Sequence, residues 1–244
     1  MELVTNRARA ALAVCALTTF AIPTAPAHAQ TVTFDNIADS VSTNNGVFQF
    51  VGLGDINNSG TVAFSGGFVD GGSGVYTSTN GMITQVADTT GAFRSFGNLR
   101  INASGTVAFN AESDDNLRAI YASTGGVVRT IVDRNTFNNP PFISFGGFAL
   151  NDSGTVAFVA LMRDFVTNSI YTTTGDGVAS FVAAASFRED VFNNFYTVAL
   201  NNAGTMAFQA DLNAGGHGVY TANGAGIETI VDSRSYGGGF EFFG

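Results

Sequence analysis

Asn151-Asp152-Ser153-Gly154-Thr155-Val156-Ala157-Phe158, NDSGTVAF, is the stretch on which the fold turns. It returns as NNSGTVAF at 57–64, NASGTVAF at 102–109 and NNAGTMAF at 201–208. The four asparagines, Asn57, Asn102, Asn151 and Asn201, stand 45, 49 and 50 residues apart. A period of that size belongs to stacked repeats, in which one unit cannot bury its apolar face alone and needs a neighbour to cover it.

More than the octapeptide recurs. A short run closes on tyrosine each time, at Tyr76, Tyr121, Tyr171 and Tyr220. A Gly/Ser/Thr turn follows, then a third run ending at Asp88, Asp133, Ala183 and Asp232. A fourth, aromatic run, such as FISFGGFALN at 142–151, leads back to the next asparagine. Val, Ile, Phe, Tyr and Thr fill these runs, and Gly, Asn, Ser and Asp divide them, so all four read as strands.

The octapeptide itself has a physical reading. An asparagine side chain can accept a hydrogen bond from backbone two residues on. Gly60, Gly105, Gly154 and Gly204 supply a positive φ with no Cβ to clash. The strand that follows, closed by Phe64, Phe109, Phe158 and Phe208, carries no charge in any copy, which suits burial on both faces. Its alanine leaves room for an adjacent sheet. The motif is thus structural first. The fold class expected is all-β: a β-propeller-like series of tandem four-stranded repeats starting near Asn57, Asn102, Asn151 and Asn201, with a half repeat at 30–56. That arithmetic yields eighteen strands, ending in GGGFEFFG at 237–244, and does not close a ring of whole blades. An open or incomplete propeller is therefore expected, either a fragment of a larger one or half of an assembly.

Residues 1–29 read as a Sec-type signal peptide: MELVTNRAR is basic, an apolar run follows, and Ala27-His28-Ala29 is an A-x-A cleavage site. Cys15, the single cysteine, falls inside that segment, so residues 30–244 form one repeat domain with no disulfide or cysteine metal site. The expected location is outside the cytoplasm: extracellular, periplasmic or on the cell surface. Residues 30–244 hold eight arginines, no lysine and eighteen acidic residues. Such a charge repels nucleic acid, whose affinity comes from cations on phosphates. After cleavage no stretch is long and apolar enough to form a spanning helix.

Tandem N-x-x-G-x-x-A-F behind a signal peptide resembles the bacterial choice-of-anchor tandem repeat NxxGxxAF-containing proteins. The resemblance implies an exported, often surface-anchored protein with no assigned chemistry. Members carry a C-terminal sorting segment; this sequence ends at Phe243-Gly244. The turn is also similar to the Asp-box hairpin of sialidase-type propellers, which argues for blades rather than for glycosidase activity.

Catalytic motifs are scarce. His217, the one histidine beyond the leader, sits in a Gly-rich AGGHGVY stretch and reads as a tolerated loop residue. No HExxH, G-x-S-x-G or phosphate-binding glycine loop appears. Asp55-Ile56-Asn57-Asn58-Ser59-Gly60 starts like a calcium loop, but Gly66 stands where the chelating glutamate belongs. The acids follow a pattern instead. Asp70, Glu112, Asp114, Asp115, Asp164 and Asp211 fall between the motif run and the tyrosine run. Asp88, Asp133, Glu189, Asp190 and Asp232 fall between the third and fourth runs. In an up-and-down sheet those connections share one end, so an acidic face is expected there. Solubility explains it most simply. The sharper readings are calcium held between loops, or a pair of carboxylates that hydrolyses a glycosidic bond. The function expected is a non-enzymatic exported structural or binding module with no cofactor, able to self-associate or to take an extracellular polymer or protein. The alternative is a secreted propeller-class hydrolase.

Overall fold

The computed structural model describes residues 35–39, 48–135, 142–162, 168–175, 179–185 and 191–234. Residues 1–29, the stretch 237–244, and Arg163, Asp164, Arg188, Glu189 and Asp190 lie outside the described residues. The described chain is all-β, sixteen strands with no helix. The first unit is β1 (Phe48–Ile56), β2 (Val62–Phe68), β3 (Ser73–Thr79) and β4 (Met82–Asp88). The second is β5 (Phe93–Ile101), β6 (Val107–Ser113), β7 (Arg118–Thr124) and β8 (Val127–Asp133). The third is β9 (Phe142–Leu150), β10 (Val156–Met162), β11 (Asn168–Thr173) and β12 (Ala179–Ala185). The fourth is β13 (Phe192–Leu200), β14 (Met206–Leu212), β15 (His217–Asn223) and β16 (Gly226–Asp232).

Each unit is an antiparallel meander in chain order. A single parallel bridge, Ala185 to Phe192, joins the third unit to the fourth. The nine-residue first strands of successive units adjoin one another, which makes them the inner strands of a propeller-like, open array. The structural unit is offset from the sequence repeat. The aromatic run that closes one repeat in the sequence is the first strand of the next sheet, and residues 48–56 of the expected half repeat are β1 of a complete first sheet. The strand after the motif, expected to open each unit, is therefore second in its sheet. The motif is the hairpin between the first and second strands.

The motif strand is buried on both faces, and the two faces differ. Phe64, Phe109, Phe158 and Phe208 stack on Tyr76, Tyr121, Tyr171 and Tyr220 directly opposite, with ring centroids 5.6–5.9 Å apart. Phe48, Phe93, Phe142 and Phe192 close each cluster edge-on. Such pairs add about 0.5–1.5 kcal/mol beyond the area they bury. The other face is small. Ala63, Ala108 and Ala157 are 0% exposed, as are Val75, Ile120 and Ile170 beside them. The alanine face of each of the first three units shares a core with the aromatic face of the next: Ala63 and Val75 with Phe109, Ala108 and Ile120 with Phe158, and Ala157 and Ile170 with Phe208. Flat on one side and bulky on the other, the second and third units are each both socket and plug.

That geometry makes Ala157→Leu and Ala207→Leu an informative pair. The first adds three carbons inside a closed interface and is expected to cost about 1–3 kcal/mol. Ala207 is partly exposed because no described unit follows it, so the same change there should stay within about 0.5 kcal/mol. Urea unfolding midpoints of the two variants check this.

The tyrosines carry a pH signature. Burial, with Asp88 adding repulsion, pushes Tyr76 up to about 12. Burial also raises Tyr121, Tyr171 and Tyr220 above their ordinary value. An unfolded tyrosine releases its proton near pH ~10. Above that pH the unfolded chain has lost a proton that folded Tyr76 keeps, so stability falls as pH rises from about 10 to 12 and is unaffected below. The Tyr76 hydroxyl is buried with no hydrogen-bond partner among the described residues. Tyr76→Phe is therefore expected to cost little at pH 7 and to flatten the alkaline decline, measured by urea melts on both sides of pH 10.

Candidate functional site

The two ends of the array do different work. At the motif end each asparagine is a clamp. Oδ1 of Asn57, Asn102, Asn151 and Asn201 accepts from the backbone N–H four residues on, at Thr61, Thr106, Thr155 and Thr205, over 2.8–3.0 Å. The expected acceptance two residues on occurs from backbone only at Asn57, where Ser59 N–H donates at 3.1 Å. Asn102 and Asn151 accept instead from the hydroxyls of Ser104 and Ser153. Their backbones complete a two-bond turn, which places Gly60, Gly105, Gly154 and Gly204 at φ of +79° to +82°.

The carboxamide nitrogen does something no sequence pattern announced. Asn57 Nδ2 donates to the carbonyl of Asn102, Asn102 Nδ2 to that of Asn151, and Asn151 Nδ2 to that of Asn201, over 3.1–3.2 Å. The asparagines form a ladder across the sheets. An aspartate would cap the turn equally well but has no donor, which accounts for the amide at Asn57, Asn102 and Asn151. Neighbouring groups reinforce the seam. Ala103 N–H donates to Asp152, Asp152 N–H to Asn202, and Ile101 N–H to Asp55. Asp55, the false start of a calcium loop, is thus a stitch between the first and second units.

The opposite end carries the acids. The structure places Asp70, Asp114, Asp115 and Asp211 on or beside the second-to-third strand connections, and Asp88, Asp133 and Asp232 at fourth-strand exits. The last three act alike. Each Oδ1 accepts from the backbone N–H two residues on, at Thr90, Asn135 and Arg234, over 2.7–3.0 Å. Arg94 reaches from β5 to the carbonyl of Asp114 at 3.1 Å and to Asn116. Among the described residues no three His, Cys, Asp or Glu side chains gather as metal ligands. His217 is not in a loop. It opens β15, and its Nδ1 lies 2.5 Å from Asp211, its register partner on β14. Asp211 also accepts from the Tyr196 hydroxyl at 2.5 Å, the main reason the Tyr196 hydroxyl is held above its ordinary pKa.

Between the second and third units, towards this acidic end, lies a cleft of about 260 Å³. Phe96 and Phe145, from the inner strands β5 and β9, supply its aromatic walls. Glu112 and Arg118 face each other across the β6–β7 hairpin, joined through Arg118 Nε at 3.1 Å. Asn110 lines the same space; its Nδ2 donates to the Gly146 carbonyl at 3.3 Å, and its Oδ1 is buried without a partner among the described residues. Ser95 and Ser144 add hydroxyls. Two rings, an ion pair with an exposed guanidinium and an unmatched amide acceptor can hold a polar ligand in contact with an apolar face. A hollow of about 390 Å³ lies at the motif end, where Asn102 and Asp152 are already committed to the seam, and one of about 350 Å³ lies between the third and fourth units, lined by Phe181, Met206 and Ile227. Of the cleft residues, Glu112 belongs to the expected acidic connections; the others were not singled out by the sequence. Opposite charges flanking the turn at 113–117 are the sequence signal for the Glu112–Arg118 pair.

Residues 117–234, just under half of the chain, match a family of unknown function, DUF7453. No curated protein sequence is detectably similar. Among solved structures the chain is similar to SapL1 lectin in complex with alpha methyl fucoside, at 12% identity and a TM-score of 0.46, covering 76% of this chain and 64% of the lectin. It is similar to the Hadza microbial sialidase Hz136 at 15% identity and a TM-score of 0.45, covering 76% and 47%. It is similar to oligogalacturonate lyase from Vibrio parahaemolyticus at 11% identity and a TM-score of 0.41, covering 74% and 64%. The chain thus spans less than two thirds of each of these proteins. Likeness this remote transfers no ligand and no activity.

Proposed function

We propose that this protein is an exported, non-enzymatic repeat module of propeller type that binds an extracellular polymer or protein at or outside the cell surface. The observation that supports it is the division of labour between the two ends. The repeated motif is spent on holding sheets together, and the cleft with the Glu112–Arg118 pair stands at the other end, among connections that differ from unit to unit. A neutral glycan segment fits the charge of the chain better than a polyanion does, and suits two phenyl walls beside hydroxyl, amide and guanidinium groups.

A panel of neutral and acidic glycans and purified cell-envelope polysaccharides tests the reading. Retention on a neutral glycan that Arg118→Ala reduces at least tenfold, with no release of reducing ends, supports it. Release of reducing ends, lost with Asp114→Asn and Asp115→Asn, would replace it with the hydrolase reading.

Calcium is expected to be dispensable, because among the described residues no three acidic or other ligating side chains gather, and Oδ1 of Asp88, Asp133 and Asp232 is turned to its own backbone. Thermal unfolding in excess calcium and in chelator should coincide. A higher melting temperature with calcium would reveal a cation site, since a ligand held only by the folded state must raise it.

A further inference from the structure

The chemistry of the cleft beside unit two occurs a second time in this molecule, on unit four. The strands of the units align position by position. The fourth and sixth residues of a second strand point to one face. On unit two they are Asn110 and Glu112, and on unit four Gln209 and Asp211. The residue that opens the third strand, in register with that acid, is Arg118 on unit two and His217 on unit four. The fourth residue of the first strand is Phe96 on unit two and Phe195 on unit four. Amide, acid, basic group and phenyl ring thus recur together on these two units. Units one and three break the set: Gly67 faces Ser73 on the first, and Leu161 faces Asn168 on the third.

The two pairs are open to solvent to a similar degree. The Arg118 and Glu112 side chains are 57% and 22% exposed, those of His217 and Asp211 41% and 20%. One difference completes the second set. The cleft of unit two takes its other ring, Phe145, from unit three. Unit four has no described successor, and it alone carries a ring at the fifth place of its first strand, where Gly52, Gly97 and Gly146 stand in the other units. That ring is Tyr196, half-exposed. Its hydroxyl donates to one oxygen of Asp211 at 2.5 Å, and His217 Nδ1 meets the other at 2.5 Å. Ring, carboxylate and imidazole are therefore fixed against one another at the surface of the acidic end. An exposed pair on strands already joined by their ladder adds little to stability, so folding alone gives no reason for an open tyrosine in a glycine position. We infer that Tyr196, Asp211 and His217 form a second binding site for a neutral sugar ring, equivalent to the Glu112–Arg118 cleft; this rests on the reading of that cleft as a glycan site. The Tyr196 ring takes the C–H face of the sugar, Asp211 accepts from its hydroxyls beside its two existing partners, and the imidazole, oriented by Asp211, completes the polar side.

The test is NMR titration of the purified chain with the methyl glycosides of glucose, galactose, mannose and N-acetylglucosamine. Glu112 and Arg118 signals report the cleft, and Tyr196 and His217 signals report unit four. At least one glycoside is expected to shift both sets. Tyr196→Ala should weaken the affinity read at His217 about tenfold or more and leave that read at Arg118 within about twofold, as befits loss of an aromatic anchor from one site only. His217→Arg, which copies the basic partner of unit two, should keep the response read at Tyr196. Shifts at Glu112 and Arg118 with Tyr196 and His217 unmoved by all the glycosides overturn this inference and leave the cleft reading standing. Shifts at Tyr196 and His217 alone establish the unit-four site and overturn the cleft reading. Silence at both sets overturns both.

Discussion

Phe158→Ala is expected to lower the unfolding free energy by about 3–5 kcal/mol, the largest effect expected of a single substitution in this chain. The ring is fully buried, stacks on Tyr171 at 5.8 Å, meets Phe142 and Phe145 edge-on, and plugs the alanine face of unit two. Its loss removes the plug from the middle of three interfaces. A stacked array is held by nearest-neighbour contacts alone, so breaking the central one should also split its cooperativity. Urea unfolding followed by tyrosine fluorescence is expected to show an earlier and broader transition. Phe181→Ala, on a ring that is mostly exposed, should stay within about 0.5 kcal/mol. Equal effects from the two substitutions would refute the plug-and-socket account.

Asn151→Ala is the second, with an expected loss of about 2–4 kcal/mol, since several buried groups lose their partners together. Asn151 Oδ1 serves Thr155 N–H and the Ser153 hydroxyl, and Nδ2 serves the Asn201 carbonyl in the next unit. Asn201→Ala removes the same cap but no inter-unit donor, so its cost should be smaller, about 1 kcal/mol, as for a lost turn cap. Asn151→Asp separates the two functions. The carboxylate keeps the cap and loses the donor, and it places negative charge beside a carbonyl. Chemical denaturation of the three variants gives the comparison. An Asn151→Asp variant as stable as the parent would show that the ladder carries no energy.

Much of this was legible in the residues. The spacing of Asn57, Asn102, Asn151 and Asn201 marks the repeat, and the run Val-Ala-Phe marks a strand buried on both faces. Both rest on local physics, since a turn needs an acceptor side chain and a positive φ, and a strand alternates its faces every residue. The phase of the unit was not legible. Whether Phe142–Leu150 ends one sheet or begins the next depends on which hairpin pairs it, and its neighbours in the chain are strands on both sides.

The cleft shows the same boundary. Glu112 and Arg118 flank one turn and could be paired from the sequence, while Phe96 and Phe145 stand far apart in the chain and meet at one cleft only because β5 and β9 adjoin. By itself, the sequence determined the class of fold, the number of motif turns and the small-versus-aromatic alternation along each strand, because these depend on a few adjacent residues. The tertiary structure alone decided where each sheet begins, that the asparagine amides reach across sheets, and that His217 meets Asp211. It also decided that, among the described residues, Ile230 on the fourth unit stands exposed where Ile131 on the second is buried. Those depend on which surfaces lie opposite each other, and no local preference specifies that.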